Sequence, residues 1–160
     1  MSEAPSVRWT KYSFEELSPH LLYAILHLRN EVFVVEQECV FQDADHHDQS
    51  SIHICGFSSS GVLLAYVRIS PKGSIYPANP SIGRVVVAKS ARGTGLGEAL
   101  VKKAIFECRI YYGTRAIFAS AQSYLLDFYQ RIGFDVVGEE YLEDGIPHQK
   151  VIYNWPDSNS

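Results

Sequence analysis

Between positions 92 and 97 the chain reads Arg92-Gly93-Thr94-Gly95-Leu96-Gly97, a basic residue followed by alternating glycines. Glycine lets the backbone take φ > 0 and come close to a ligand, because no Cβ intervenes. A helix that begins at such a turn adds unpaired N–H groups and the positive end of its dipole, which together suit a phosphate. Arg92, Gly93, Thr94, Gly95, Leu96 and Gly97 are therefore a candidate anion cradle. Spacing narrows the choice of anion. A Walker loop needs Lys-Ser or Lys-Thr after its last glycine, and none follows Gly97. The dinucleotide fingerprint G-x-G-x-x-G spaces its glycines differently and sits early in a βαβ unit, whereas this turn lies past the middle of the chain.

A second cluster is acidic. Glu36, Glu38, Asp43, Asp45 and Asp48 fall within thirteen residues, together with His46 and His47. The spacing matches neither an EF-hand nor a zinc signature, so no metal is expected. The stretch reads as a solvated loop or, if a cleft encloses it, as a region that attracts a cationic amine. Coulomb attraction at 4 Å is about 1 kcal/mol in water and about 4 at an effective dielectric of 20.

The elements that must position these residues follow from periodicity and capping. Val7 to Tyr12 is a first strand. Ser18-Pro19 is an N-cap with proline at the first helical position, and Leu21, Ile25, Leu28 and Val32 carry that helix to about Val34. The polar stretch from Glu36 to Ser51 follows. Ile52 to Phe57 and Val62 to Ser70 form a hairpin, with Leu63, Ala65, Val67 and Ile69 on one face. Ile82 to Ala88, rich in β-branched residues, is a buried strand leading into the glycine turn. A helix then runs from Gly95 to Tyr112 and stops at Gly113. Ala116 to Ala119 is a buried strand, and Ser123 to Ile132 a shorter helix. Phe134 to Leu142 and Gln149 to Trp155 close the chain as a strand pair around Asp144-Gly145-Ile146-Pro147. The order β-α-β-β-β-α-β-α-β-β implies an α/β fold, a mixed sheet with helices on both faces, and one domain over residues 1–160.

Asp127 to Phe134 carries F-Y-x-x-x-G-F about thirty residues after R-x-x-G-x-G at Arg92, Gly95 and Gly97. The two motifs, in this order and on these elements, resemble those of the GCN5-related N-acetyltransferases (GNAT). Arg29 to Gln37, Gln42 to Asp45 and Glu143 to His148 are similar to the ElaA-like branch. The resemblance implies acetyl-coenzyme A as co-substrate and a primary amine, on a small molecule or peptide, as acceptor. It implies that Val85, Val86 and Val87 pair with the pantetheine arm as an added strand, with the amide near Val87 polarising the acetyl carbonyl. Tyr129 would protonate the departing thiolate. Gln122 stands where many members carry an asparagine that touches the cofactor arm. An ammonium with pKa near ~10.4 leaves only about one amine in a thousand neutral at pH 7. A base or a water chain is therefore needed, and Glu36, Asp43, Asp45 and His53 are the candidates. Glu36 ranks first, because it closes the helix that flanks the substrate side in this fold.

The bland readings are a core aromatic for Tyr129, a solvated turn residue for Arg92 and structural histidines for His53 and His148. A non-catalytic acyl-coenzyme A sensor of the same fold is the principal alternative function, and an ATP- or NAD-binding protein ranks last. Composition bounds the rest. A net charge of −4 and the lack of a basic stripe give no expectation of nucleic-acid or membrane partners. Cys39, Cys55 and Cys108 are odd in number and widely spaced, which suggests reduced thiols in the cytoplasm. Met1 to Val7 lacks the apolar core of a signal peptide. A homodimer stays open as an assembly.

Overall fold

Side chains alternate across a single sheet, and that alternation decides which helix covers which face. The computed structural model describes residues 6–156; the leader reading at residues 1–5 lies outside them. The strands are β1 (Arg8–Ser13), β2 (Ile52–Phe57), β3 (Leu63–Ser70), β4 (Ser81–Val87), β5 (Ala116–Gln122), β6 (Asp135–Glu143) and β7 (Ile146–Asn154). They form one sheet in the order β1-β2-β3-β4-β5-β7-β6. Every neighbouring pair is antiparallel except β4 and β5. The helices are α1 (Pro19–Arg29), α2 (Leu96–Tyr112) and α3 (Leu126–Ile132).

On β3, Ala65, Val67 and Ile69 share a core with Leu100, Val101, Ala104 and Cys108 of α2. Tyr66 points the other way, to Ile25 and Leu28 of α1. Leu63 was expected beside Ala65 but joins the α1 side. Pairing passes from Gly56↔Ala65 to Phe57↔Leu63, so Leu64 is an extra residue that turns Leu63 over.

The ends of the elements follow local chemistry. The Ser18 hydroxyl accepts from the Leu21 N–H at 3.1 Å and starts α1. The expected helix to Val34 is α-helical only to Arg29; Asn30–Glu36 continues it as a π-helix, with Gln37 N donating to Val32 O and Cys39 N to Val34 O. The last strands are longer than their apolar pattern implied. Asp144 (φ 52) and Gly145 (φ 78) form a two-residue turn with both central residues left-handed, so Ile146 and Pro147 join β7.

The Glu36–Ser51 stretch departs most from expectation. Asp43 and Asp48 are buried, and three arginines from three elements converge on the loop. Arg29, at the end of α1, donates Nε to Asp43 Oδ2 (2.9 Å) and Nη1 to Asp48 Oδ1 (2.7 Å). Arg68 of β3 grips Asp45 with both terminal nitrogens at 2.8 Å and reaches Asp48 at 3.0 Å. Arg84 of β4 donates to the Asp43 carbonyl at 3.1 Å, and its Nε lies 3.0 Å from Asp43 Oδ1 as an ion pair without hydrogen-bond alignment. Asp43, Asp45 and Asp48 thus form an ionic staple between α1 and the sheet, while Glu36 and Glu38 of the same stretch stay exposed.

Arg84 also carries the backbone anomaly that shapes the molecule. Its φ is 53°, left-handed for a residue with a Cβ, which costs roughly 1–3 kcal/mol. Tyr66 pairs with Val86 and Arg68 with Gly83, so Arg84 and Val85 stand opposite Val67 alone. This is a β-bulge in β4. Burial raises the carboxyls of Asp45 and Asp48, but their arginine partners outweigh it and hold both below the ordinary carboxylate range. Their contribution is therefore present above the unfolded value near ~3.9 and is lost as the pH falls below it. Asp48→Asn should lower the unfolding free energy by roughly 3–5 kcal/mol at pH 7 in urea titrations. The difference from wild type should shrink below pH ~4; a difference that stayed constant with pH would remove the ionic account.

Candidate active site

The bulge in β4 opens a cleft. Parallel pairing between β4 and β5 is confined to Ser81↔Phe118 and Ile82↔Ala119. Beyond it β5 continues on β7 alone, and β4 keeps β3 as its partner. Ala88 N donates to Leu64 O, so Val87 and Ala65 form a non-hydrogen-bonded pair and the Val87 N–H and C=O point away from β3. A free strand edge bounded by valines thus faces a cavity of about 540 Å³, a size suited to a small-molecule ligand.

The glycine turn adjoins that edge. Gly93 (φ 76) and Gly95 (φ 84) are left-handed, and nothing lies within 4 Å of where a Cβ would stand. The Thr94 hydroxyl closes the turn on Ala91 O at 2.7 Å. Gly95 is the N-cap of α2, with no side chain to cap the first amides. A strand edge, open glycines and free helix amides fit a ligand with a polar arm ending in phosphate.

Tyr129, on α3, also lines the cavity and is 6% exposed. Phe128 and Phe134 pack edge-on to its ring at 5.2 and 5.5 Å. Burial, with a smaller contribution from Tyr124, pushes its phenol up to about 12. It therefore holds its proton at neutral pH.

Of the proposed bases, only Glu36 lines the cavity. Arg92 grips both of its oxygens at 2.6 and 2.7 Å, and that bond holds the Glu36 carboxyl below its ordinary value. Arg92 Nε also donates to Val87 O at 3.2 Å. The next residue, Gln37, accepts from Gln122 Nε2 at 3.2 Å. The π-helical end thereby bridges both walls of the cleft. Arg92, expected beside a phosphate, is here the partner of Glu36.

Asp43, Asp45 and His53 do not line the cavity. The two aspartates serve the arginine staple. His53 is fully buried, with Nε2 2.9 Å from the Asp48 carbonyl and Nδ1 2.7 Å from the Tyr66 hydroxyl. A carbonyl can only accept, so Nε2 carries the proton and Nδ1 accepts from Tyr66. Both nitrogens are engaged, and burial pushes the ring below its ordinary value. The β6–β7 hairpin supplies a wall that spacing alone had not singled out, with Glu143 and His148 facing the cavity alongside Ser120 of β5. The two-residue Asp-Gly turn was the available signal, because it pulls His148 into β7 opposite Gln122. Among the described residues no group of three or more His, Cys, Asp or Glu could hold a metal.

Comparison with known proteins decides the family. The model of the acetyltransferase (GNAT) domain matches residues 20–153. The chain belongs to the GNAT family. Protein ElaA of Escherichia coli is 40% identical over 145 residues, 89% of this chain and 93% of the relative. The crystal structure of E. coli ElaA superposes with a TM-score of 0.85, covering 93% of this chain and all of that one. An acyl-CoA N-acyltransferase from Pseudomonas aeruginosa gives a TM-score of 0.86 at 38% identity, covering 92% and 99%. The GNAT fold is therefore shared over nearly the whole chain.

The cradle is open to test by crowding it. Gly95→Val places a branched side chain at a left-handed position on the ligand side, and should weaken acetyl-coenzyme A binding at least about tenfold, ~1.4 kcal/mol. Titration calorimetry reads the loss, with circular dichroism to establish an intact fold. Unchanged affinity would remove the turn from the binding site.

Proposed function

We propose that this protein is an acyl-coenzyme A-dependent N-acetyltransferase that moves acetyl from acetyl-coenzyme A to a primary amine of a small molecule or peptide. The support is the meeting, in one cavity, of the outward Val87 amide and the Tyr129 phenol, with the glycine turn outside the cavity lining but adjoining it at Arg92 and Val87. The pantetheine arm lies along β4 at Val85, Val86 and Val87, as an added strand. The amides from Gly93 to Gly97 hold the pyrophosphate, with Arg92 released toward it from Glu36. Gln122 exchanges its bond to Gln37 for one to the cofactor arm.

The amine attacks the acetyl carbonyl directly. Oxyanion charge develops against the Val87 N–H, a type of contact worth ~3–4 kcal/mol. The C–S bond then breaks, and Tyr129 gives its proton to the thiolate. Glu36, once Arg92 has turned away, is a carboxylate at the cavity mouth suited to orienting the ammonium. Its pairing in the free protein makes it a weak base, and a proton acceptor of higher affinity suits the step better. The cytoplasm fits the buried, unpaired Cys39, Cys55 and Cys108.

An acyl-coenzyme A sensor would need no acid beside the sulfur, so Tyr129 separates the two readings. Spermidine, tyramine and Nα-acetyl-lysinamide sample three classes of primary amine, with free thiol release as the readout. With an accepted amine, Tyr129→Phe should lower kcat by about 10²–10⁴ while acetyl-coenzyme A affinity stays within about twofold. A kcat within twofold of wild type would make Tyr129 structural. No release by the wild type with any amine would favour the sensor.

A further inference from the structure

We infer that His148, backed by Glu143, is the group that takes the proton from the acceptor ammonium; the inference rests on the transferase reading above. His148 lies on β7, is 6% exposed and lines the same cavity as Tyr129. Its Nδ1 is 2.7 Å from the Ile146 carbonyl oxygen. That oxygen can only accept, so Nδ1 carries the proton and the lone pair of the neutral ring sits on Nε2. Nε2 lies 3.4 Å from Glu143 Oε2. A proton taken up at Nε2 would sit between the ring and that carboxylate oxygen, as an ion pair.

The surroundings hold this geometry in place. His148 pairs across the sheet with Gln122 of β5 on one side and Tyr141 of β6 on the other. The Tyr141 ring stacks on the imidazole with centroids 6.2 Å apart. The Ser120 hydroxyl bonds to the Tyr141 hydroxyl and donates to Glu143 Oε1 at 3.1 Å, which fixes the second carboxylate oxygen. Glu143 and Tyr141 are the titratable groups facing His148 from β6, and Ser120 and Gln122 face it from β5. His53, by contrast, spends both ring nitrogens on fixed partners.

The proton balance closes. The ammonium enters beside Glu143 and gives one proton to His148 Nε2, leaving a neutral amine. The amine nitrogen bonds to the acetyl carbon, the C–S bond breaks, and Tyr129 protonates the thiolate. The second N–H proton of the new amide nitrogen restores Tyr129, and His148 returns its proton to solvent past the half-exposed Glu143. The net products are the N-acetyl amine, coenzyme A and one proton.

Two measurements on the full chain with acetyl-coenzyme A test this. The first needs no acceptor: nitrogen NMR of the neutral imidazole should show the Nδ1–H tautomer, with Nε2 unprotonated. An Nε2–H tautomer overturns the inference. The second uses the fastest of the three probe amines. His148→Gln should lower kcat at pH 7 by about 10²–10⁴, with acetyl-coenzyme A affinity within about twofold. Its rate should then climb about tenfold per pH unit toward the amine's own pKa, while the wild type levels off. A merely structural histidine would lose the same factor at every pH, and that parallel loss also overturns the proposal. If the wild type releases no thiol with any amine, the transferase reading fails, a result separate from the NMR outcome.

Discussion

Arg84 is held in a left-handed backbone by the aspartates that receive its guanidinium, and the working part of the molecule depends on that bond. Without the bulge, β4 would run on alongside β5 and the sheet would close. With it, the strands part beyond Ile82 and Ala119, and the main-chain groups of Val87 are left facing a cavity. A strained residue persists only where its surroundings over-determine it. Here the surroundings are Asp43 and Asp45, themselves fixed by Arg29 and Arg68. The acidic loop therefore serves the site from behind the strand, by shaping it.

Charge is allotted differently on the two sides of β4. Behind it, Arg29, Arg68, Asp43 and Asp48 are buried and bound to one another, with Arg84 and Asp45 at the edge of the network. In front, the Glu36–Arg92 bridge is partly exposed, and both of its residues line the cavity. Buried pairs of the first kind are costly to break, and exposed pairs of the second kind are cheap. Rigidity and access are thus built from the same residue types, separated by burial.

The sequence carried the fold and the glycine turn because both are written locally. Ser18-Pro19, Gly113 and Gly133 mark helix ends within a turn of their effect, and the glycine turn is read within six residues. The acidic loop was not legible in the same way. Asp43 and Asp48 look like solvated loop residues, since their partners lie 14 to 41 positions away on other elements. The π-helical turn at Asn30–Glu36 escaped for a different reason: seven residues are too few to tell a wider helical period from 3.6. The bulge at Arg84 leaves no local mark at all. His148 was visible in its run of neighbours, but the ring nitrogen facing Glu143, which sets it apart from His53, depends on which carbonyl each ring meets.

The two residue pairs between β4 and β5 divide the sheet into an N-terminal meander, β1 to β4, and a C-terminal block, β5 to β7. Main-chain bonding is thinnest at this seam, although α2 packs across it against β3 and Ile117. A co-substrate bound along β4, as proposed above, would add hydrogen bonds there and make binding and mechanical cohesion one event. The two blocks should open more independently in the free protein than in the complex. Native-state hydrogen exchange would show this as protection gained by β4 and β5 together when acetyl-coenzyme A is added, with little change in β1 and β2.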